Sequence, residues 1–95
     1  MSLSESSILA RAREVVTREA AAVEALADQL NSGLMDVVTV LLSTTGHVLV
    51  TGAGTSHAMA QRFAHLLSCS GTPALPISAA DALHGGAGAI REGDV

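Results

Sequence analysis

The chain contains no lysine, no tryptophan and no tyrosine, and it has one phenylalanine among its 95 residues. Five arginines against nine acidic residues give a net charge of -4, so the basic surface that nucleic-acid binding requires is missing. The shortage of aromatic rings also removes the stacking platforms that hold single-stranded nucleic acids. We therefore expect no nucleic-acid partner, and a core built from aliphatic side chains and methionine.

Cys69 is the only cysteine, which excludes an internal disulfide and fits a reducing cytosol. The N-terminus lacks the basic start and apolar core of a signal peptide. No apolar run approaches the roughly 20 residues of a membrane span. The sequence thus predicts a cytoplasmic protein without membrane association, and its length allows one domain at most.

The most informative stretch is an apolar run followed by glycines and then by a helical pattern. Val48–Val50 is typical of a parallel strand that is covered on both faces. Gly52 and Gly54 let the backbone turn tightly and approach a ligand. Apolar residues then recur at helical spacing, at Met59, Phe63, Leu66 and Leu67. A helix that begins directly after such a loop favours an anion, most often a phosphate, at its N-terminus.

Two common nucleotide-binding motifs are disfavoured. His57 stands where a dinucleotide fingerprint has its third glycine, and the first acidic residue downstream is Asp81, too late to hold a ribose. No lysine follows the glycines, so the loop is not a nucleotide P-loop. A nicotinamide or flavin oxidoreductase is therefore the weakest alternative, and no cofactor is predicted. A phosphate would be held by backbone N–H groups and by the hydroxyls of Thr55 and Ser56.

Three motifs together show a family resemblance. The segment Val48–His57 resembles the first motif of the sugar isomerase (SIS) domain, and Ser70–Pro73 and Asp81–Gly85 strengthen the match, particularly to the arabinose-5-phosphate isomerase branch. The resemblance covers about Glu19–Val95. It implies an α/β fold of the flavodoxin-like three-layer type, a parallel sheet with flanking helices, a sugar-phosphate ligand and aldose–ketose isomerisation. It also implies a homo-oligomer, a dimer or tetramer.

The N-terminal half is expected to be helical. Residues 1–33 form the leading helix, which runs from Ser2 to Leu30, with a capping box of Ser2 and Glu5 and a left-handed cap at Gly33. Its apolar stripe could pack on the sheet or form a subunit contact. Residues 34–46 form a second helix, although Val37–Val40 favour a strand by propensity alone.

Residues 47–95 are expected to form a βαβ core. Gly71 ends the helix, and 72–77 form a second strand whose prolines place it near a sheet edge. A short helix over 78–83, a mobile glycine-rich turn over 84–88 and a turn into a third strand over 90–95 follow. The chain is expected to be the N-terminal portion of one SIS domain, either a fragment or completed by another copy.

The candidate site residues have two expected roles, ligand binding and catalysis. The ligand-binding residues are expected to be Gly52, Gly54, Thr55, Ser56 and His57. His84 is the candidate catalytic residue, because the resembled branch carries a histidine there and an imidazole passes protons near neutral pH. The branch commonly has a lysine at Thr55 and an aspartate at Gly86. No metal site is predicted.

Two functions remain open at the level of sequence. The first is a sugar-phosphate isomerase, whose main base, a carboxylate, is expected beyond Val95, so that the 95-residue chain alone would be inactive. The second is a non-catalytic phosphosugar sensor or regulatory domain. Arg91, Glu92 and Asp94 are interpreted as solvated residues of a surface turn.

Overall fold

The computed structural model describes residues 3–95, which form an α/β chain with a parallel sheet. The described residues form two compact units, 3–35 and Asp36–Val95. The elements are α1 (Glu5–Leu26), α2 (Ser32–Ser43), β1 (Val48–Gly52), α3 (Thr55–Cys69), β2 (Ala74–Ser78) and α4 (Ala79–Leu83). Short 3-10 segments lie at Ala27–Gln29 and Gly86–Ala89. Among the described residues, no helix is long and apolar enough to cross a membrane.

Helix α1 is shorter than predicted at both ends. It begins at Glu5 because the Ser4 hydroxyl accepts a hydrogen bond from the Ser7 amide at 3.2 Å. Ser4 is thus the observed N-cap, and the predicted cap at Ser2 lies outside the described residues. The α-helix ends at Leu26, where the chain tightens into the 3-10 segment. No residue of α1 is buried.

Helix α2 includes the glycine that was expected to stop the preceding helix. The Asn31 carboxamide oxygen accepts from the Gly33 amide at 2.8 Å, and the Asn31 carbonyl accepts from the Leu34 amide at 3.0 Å. Asn31 thus starts α2, and Gly33 lies in its first turn rather than in a left-handed cap. The helical prediction for Val37–Val40 is confirmed: the apolar spacing of the helix outweighs the strand propensity of valine.

The second unit is organised around the β1–α3–β2 connection. The strands pair in parallel, from Val48 opposite Ala74 to Gly52 opposite Ser78. Val48, Ala64 and Ala74 form the buried cluster between the strands and α3. Ala64 is 1% exposed, because its small side chain lets the helix lie close against the sheet.

A glycine ends α3, and a proline lies within β2, each in a position that its backbone conformation allows. Gly71 has φ of +91°, and the Thr72 amide donates to the Leu67 carbonyl at 2.9 Å, which is a Schellman ending of α3. Pro76 lies opposite Val50 in the parallel register. Its missing N–H falls on the outer edge of β2, as predicted for a strand that contains prolines.

The other side of β1 is bonded to Val95. The Val95 amide donates to the His47 carbonyl at 3.0 Å, and the Leu49 amide donates to the Val95 carbonyl at 2.7 Å. This pair of bonds is the parallel ladder pattern with Val95 opposite Val48. The described sheet has two strands, β1 and β2, so the third strand stays a prediction.

Asp94 holds the turn before that strand. Its two carboxylate oxygens accept from the His47 and Arg91 amides, each at 2.8 Å. Hydrogen bonds from the Arg91 amide and then the His47 amide hold the pKa of Asp94 below its ordinary value of 3.8. The interpretation of Asp94 as a merely solvated residue is therefore wrong, because both oxygens have structural partners.

Candidate functional site

The glycine loop lies at the carboxyl end of β1, where open parallel sheets bind their ligands. Gly52 is required by packing: a Cβ there would lie 2.7 Å from the backbone carbon of Ser56. Gly54 is required by conformation, since its φ is +58° and its ψ is -126°. A Cβ on Gly54 would meet no atom within 4 Å, so this position faces open space.

The loop leaves a run of successive amides without partners. The Ser56 amide donates to the Ala53 carbonyl, and the His57 amide donates to the Gly54 carbonyl, each at 3.1 Å. The preceding amides of Ala53, Gly54 and Thr55 make no hydrogen bond within the described chain. Consecutive free N–H groups at a helix start form a concavity that favours an anion.

The hydroxyls of Thr55 and Ser56 are both exposed, and neither makes a hydrogen bond within the part of the chain that the structure describes. Ser56 does not cap α3, although its position suggested that role, because the helix begins one residue earlier and its N-cap is Gly54. Both hydroxyls therefore remain available to a ligand, and their role in binding stays a prediction.

A groove of about 250 Å³ runs from the loop along α3. It is lined by Val50, Thr51, Ser56, Met59, Ala60 and Phe63. Its walls are apolar apart from the two hydroxyl-bearing residues. Among the predicted site residues, only Ser56 lines it.

His57 differs from its neighbours in burial. Its Nδ1 atom is buried and has no hydrogen-bond partner in the described structure. His57 thus lies in the first turn of α3, as predicted, with one ring nitrogen withdrawn from solvent.

Ser78 adjoins the loop and was not singled out from the sequence. The parallel register places it opposite Gly52, and its hydroxyl accepts from the Asp81 amide at 3.0 Å to cap α4. The carboxyl ends of both strands therefore lie side by side. The signal that could have identified Ser78 is its place at the end of a strand, followed three residues later by an acidic residue.

His84 lies at the C-terminal end of α4, and its imidazole is exposed. Its backbone amide donates to the Ala80 carbonyl at 3.1 Å. No hydrogen bond of the described residues joins His84 to the glycine loop.

Gly86 stands where the resembled branch commonly has an aspartate, and the surrounding backbone leaves little room for a side chain. A Cβ at this position would lie 2.7 Å from the Asp81 carbonyl oxygen and 3.2 Å from Ile77 Cδ1. The stretch 84–88, predicted as a mobile glycine-rich turn, begins with a turn and continues as the 3-10 segment Gly86–Ala89. An aspartate at position 86 would require this segment to move.

The positive charge that would attract an anion to the site comes from backbone groups and not from side chains. The described loop 52–57 contains no charged side chain, and the first arginine of α3, Arg62, is exposed two turns later. The positive end of the helix dipole and the free amides are therefore the features that attract an anion. The described residues contain no group of three or more potential metal ligands.

The comparisons with known proteins all indicate one class of protein. No family model matches the chain. It is 30% identical over 89 residues to arabinose 5-phosphate isomerase KpsF of Escherichia coli, covering 93% of the chain and 27% of that protein. It is 31% identical over 88 residues to arabinose 5-phosphate isomerase GutQ of Escherichia coli K12, with the same coverage. The chain thus spans about a quarter of the length of these curated relatives.

A crystal structure from Listeria monocytogenes, described as a candidate sugar-phosphate isomerase, has a TM-score of 0.91 and 27% identity. The match covers 98% of this chain and 49% of that one. The relatives and this structure indicate a sugar-phosphate isomerase-like domain. They support the assignment of the chain to the sugar isomerase (SIS) family, which confirms the resemblance and the fold class predicted from the motifs.

Proposed function

We propose that the Gly52–Ser56 loop binds the phosphate group of a phosphorylated sugar. The observation that carries this proposal is the run of free amides at Ala53, Gly54 and Thr55, directly at the start of α3. The exposed hydroxyls of Thr55 and Ser56 supply further donors. Arabinose 5-phosphate is the first ligand to test, because KpsF and GutQ are named for it.

The binding test uses Gly54→Ala, whose methyl group would occupy the open space above the loop. We expect the affinity for arabinose 5-phosphate, measured by isothermal titration calorimetry, to fall at least about tenfold, which is 1.4 kcal/mol. Gly71→Ala is the matched control: Gly71 also has a positive φ and open space at its Cβ, but it ends α3 instead of starting it. Both positions have a positive φ, so each variant carries backbone strain.

The two variants separate binding from folding. Equal losses of stability, with affinity lost only in Gly54→Ala, would support phosphate binding at the loop. Unchanged affinity in a folded Gly54→Ala variant would refute it. Circular dichroism melts of both proteins supply the stability comparison.

For the chemistry, we propose aldose–ketose isomerisation by the complete protein. A base removes the proton beside the carbonyl, and polar groups stabilise the enediolate. His84 is proposed to assist proton transfer or to hold a sugar hydroxyl. His57 and Ser78, which flank the loop, are proposed ligand contacts through their remaining polar atoms.

The catalytic test is solvent deuterium incorporation at the carbon beside the carbonyl, followed by NMR with pentose, hexose and heptose phosphates. The intact protein should exchange this proton, and His84→Ala should exchange it at least about a hundredfold more slowly if His84 acts as acid or base. Full exchange in His84→Ala would remove this residue from the mechanism and leave the isomerase proposal standing.

The alternative is a phosphosugar sensor that binds without turnover. It is favoured by Thr55 at the position of the lysine in the resembled branch, and by the lack of charged side chains in the described loop. Saturable binding without deuterium exchange for any of the sugar phosphates would select the sensor.

A further inference from the structure

We propose that His65 and Cys69, on one face of α3, bind a single Zn²⁺ ion. The two residues are four positions apart, a spacing that makes their side chains neighbours on the surface of a helix. Because a helix rises about 1.5 Å per residue, His65 lies roughly 15 Å along the axis from Thr55. The pair is therefore separate from the Gly52–Ser56 loop, and the proposal does not depend on the sugar ligand.

The distance between the two ligand atoms already suits a tetrahedral metal site. Cys69 Sγ and His65 Nε2 are 3.5 Å apart. A zinc–sulfur bond of about 2.3 Å and a zinc–nitrogen bond of about 2.0 Å, at the tetrahedral angle, place the two atoms roughly 3.5 Å apart. Both residues are exposed, so an ion can reach the pair without any change of fold.

Binding exchanges one proton for the metal ion. In the metal-free chain a weak hydrogen bond joins the thiol and the imidazole. When Zn²⁺ binds, the Cys69 thiol releases its proton to solvent, and the thiolate sulfur and the Nε2 atom of His65 each donate an electron pair to the ion.

The two ligand types favour zinc over the hard cations. A thiolate is a soft ligand that zinc accepts readily, and an imidazole nitrogen suits the same metal. Magnesium and calcium prefer oxygen ligands, which neither side chain supplies. The expected ligand is therefore Zn²⁺, for which Co²⁺ serves as a spectroscopic substitute.

Water would complete the coordination of the ion. The nearby Ser68 hydroxyl donates to the Ala74 carbonyl at 3.1 Å, and the Ser70 hydroxyl donates to a carbonyl of α3 at 2.9 Å. Within residues 3–95 no group of three or more potential ligands occurs. His65 also lines an open groove of about 290 Å³, which leaves room for water. We therefore expect one ion per chain, held by two protein ligands.

The test is a titration of the reduced protein with Zn²⁺ by isothermal titration calorimetry, and with Co²⁺ by ultraviolet absorption. We expect one ion per chain and, with Co²⁺, the charge-transfer absorption of a metal–thiolate bond. Cys69→Ser should lose this absorption and bind Zn²⁺ more weakly. His65→Ala should weaken Zn²⁺ binding at least about tenfold.

A double variant separates the pair from an isolated thiol. Cys69→Ser combined with Ser70→Cys keeps one thiol in the chain but moves it to a different face of the helix from His65. Its affinity for Zn²⁺ should fall as far as that of His65→Ala. Circular dichroism spectra show whether each variant is folded.

Three results would overturn the proposal. Wild-type affinity for Zn²⁺ in a folded His65→Ala or double variant would show that the thiol binds without the imidazole. Wild-type affinity in Cys69→Ser would show that the ion binds elsewhere. A ratio of one ion to two chains would show that the ion is shared between copies.

Discussion

Asp94 joins two segments that are distant in sequence, and its protonation should therefore affect stability. Since its pKa is lowered in the folded chain, its contribution is present above the ordinary value of 3.8 and is lost as the pH falls through the depressed folded value. Protonation weakens the acceptors for the His47 and Arg91 amides. The fold should thus lose stability in acid partly through this residue.

The corresponding prediction uses Asp94→Asn. An amide nitrogen cannot accept a hydrogen bond, so the variant should be less stable at neutral pH and should show a shallower loss of stability in acid. Urea unfolding at neutral pH and below 3.8 measures both effects. The control is Glu92→Gln, which changes an exposed carboxylate in the same turn that has no described partner. Parallel acid profiles for wild type and Asp94→Asn would contradict the prediction.

Residue identities in the Gly52–Ser56 loop were predictable, but their hydrogen bonding was not. Gly52 and Gly54 stand out because few other residues permit such a turn. Which amides remain free depends on the φ of Gly54, which no pattern of residue types encodes. The same limit applies to Asp94, whose partner His47 lies 47 residues away.

At the scale of elements, α3 depends on small side chains where it lies against the sheet. Ala64→Leu should destabilise the fold by roughly 1–3 kcal/mol, because the added carbons have no space beside Val48 and Ala74. Gln61→Leu, on an exposed part of the same helix, should change stability by less than about 0.5 kcal/mol. Urea unfolding measures the stability of both variants. If Ala64→Leu were as stable as Gln61→Leu, the packing of α3 against the sheet could adjust to the larger side chain.

The elements were predicted where periodicity and turn chemistry agreed. The apolar face of α2 and the Schellman ending at Gly71 are examples. The boundary between α1 and α2 was wrong because Gly33 suggested a stop, while the capping side chain of Asn31 was overlooked. Boundaries depend on which nearby polar group satisfies the first amides of a helix.

At the scale of the whole molecule, α1 carries two strongly exposed valines on one face. Val16 and Val23 are 68% and 67% exposed, and their spacing of seven places them on one face of the helix. Pairing with another copy would bury both, at roughly 1.5–3 kcal/mol for each fully buried side chain. We therefore predict a homo-oligomer held partly by this face.

Sedimentation velocity would test this prediction. The wild-type chain should associate as its concentration rises, and the double variant Val16→Glu, Val23→Glu should remain monomeric. Thr17→Glu places the same charge on a different part of α1 and should associate normally. A wild-type chain that stays monomeric at high concentration would contradict the prediction. It would favour a different partner for the face of α1 that contains Val16 and Val23.

The contact between His47 and Asp94 also has a kinetic consequence. It closes a loop between residues 47 positions apart, and the entropy of closure grows with the logarithm of that separation. The connection β1–α3–β2 lies inside this loop and can form first. Disrupting Asp94 should therefore accelerate unfolding while leaving the refolding rate nearly unchanged, giving a low φ-value at this residue.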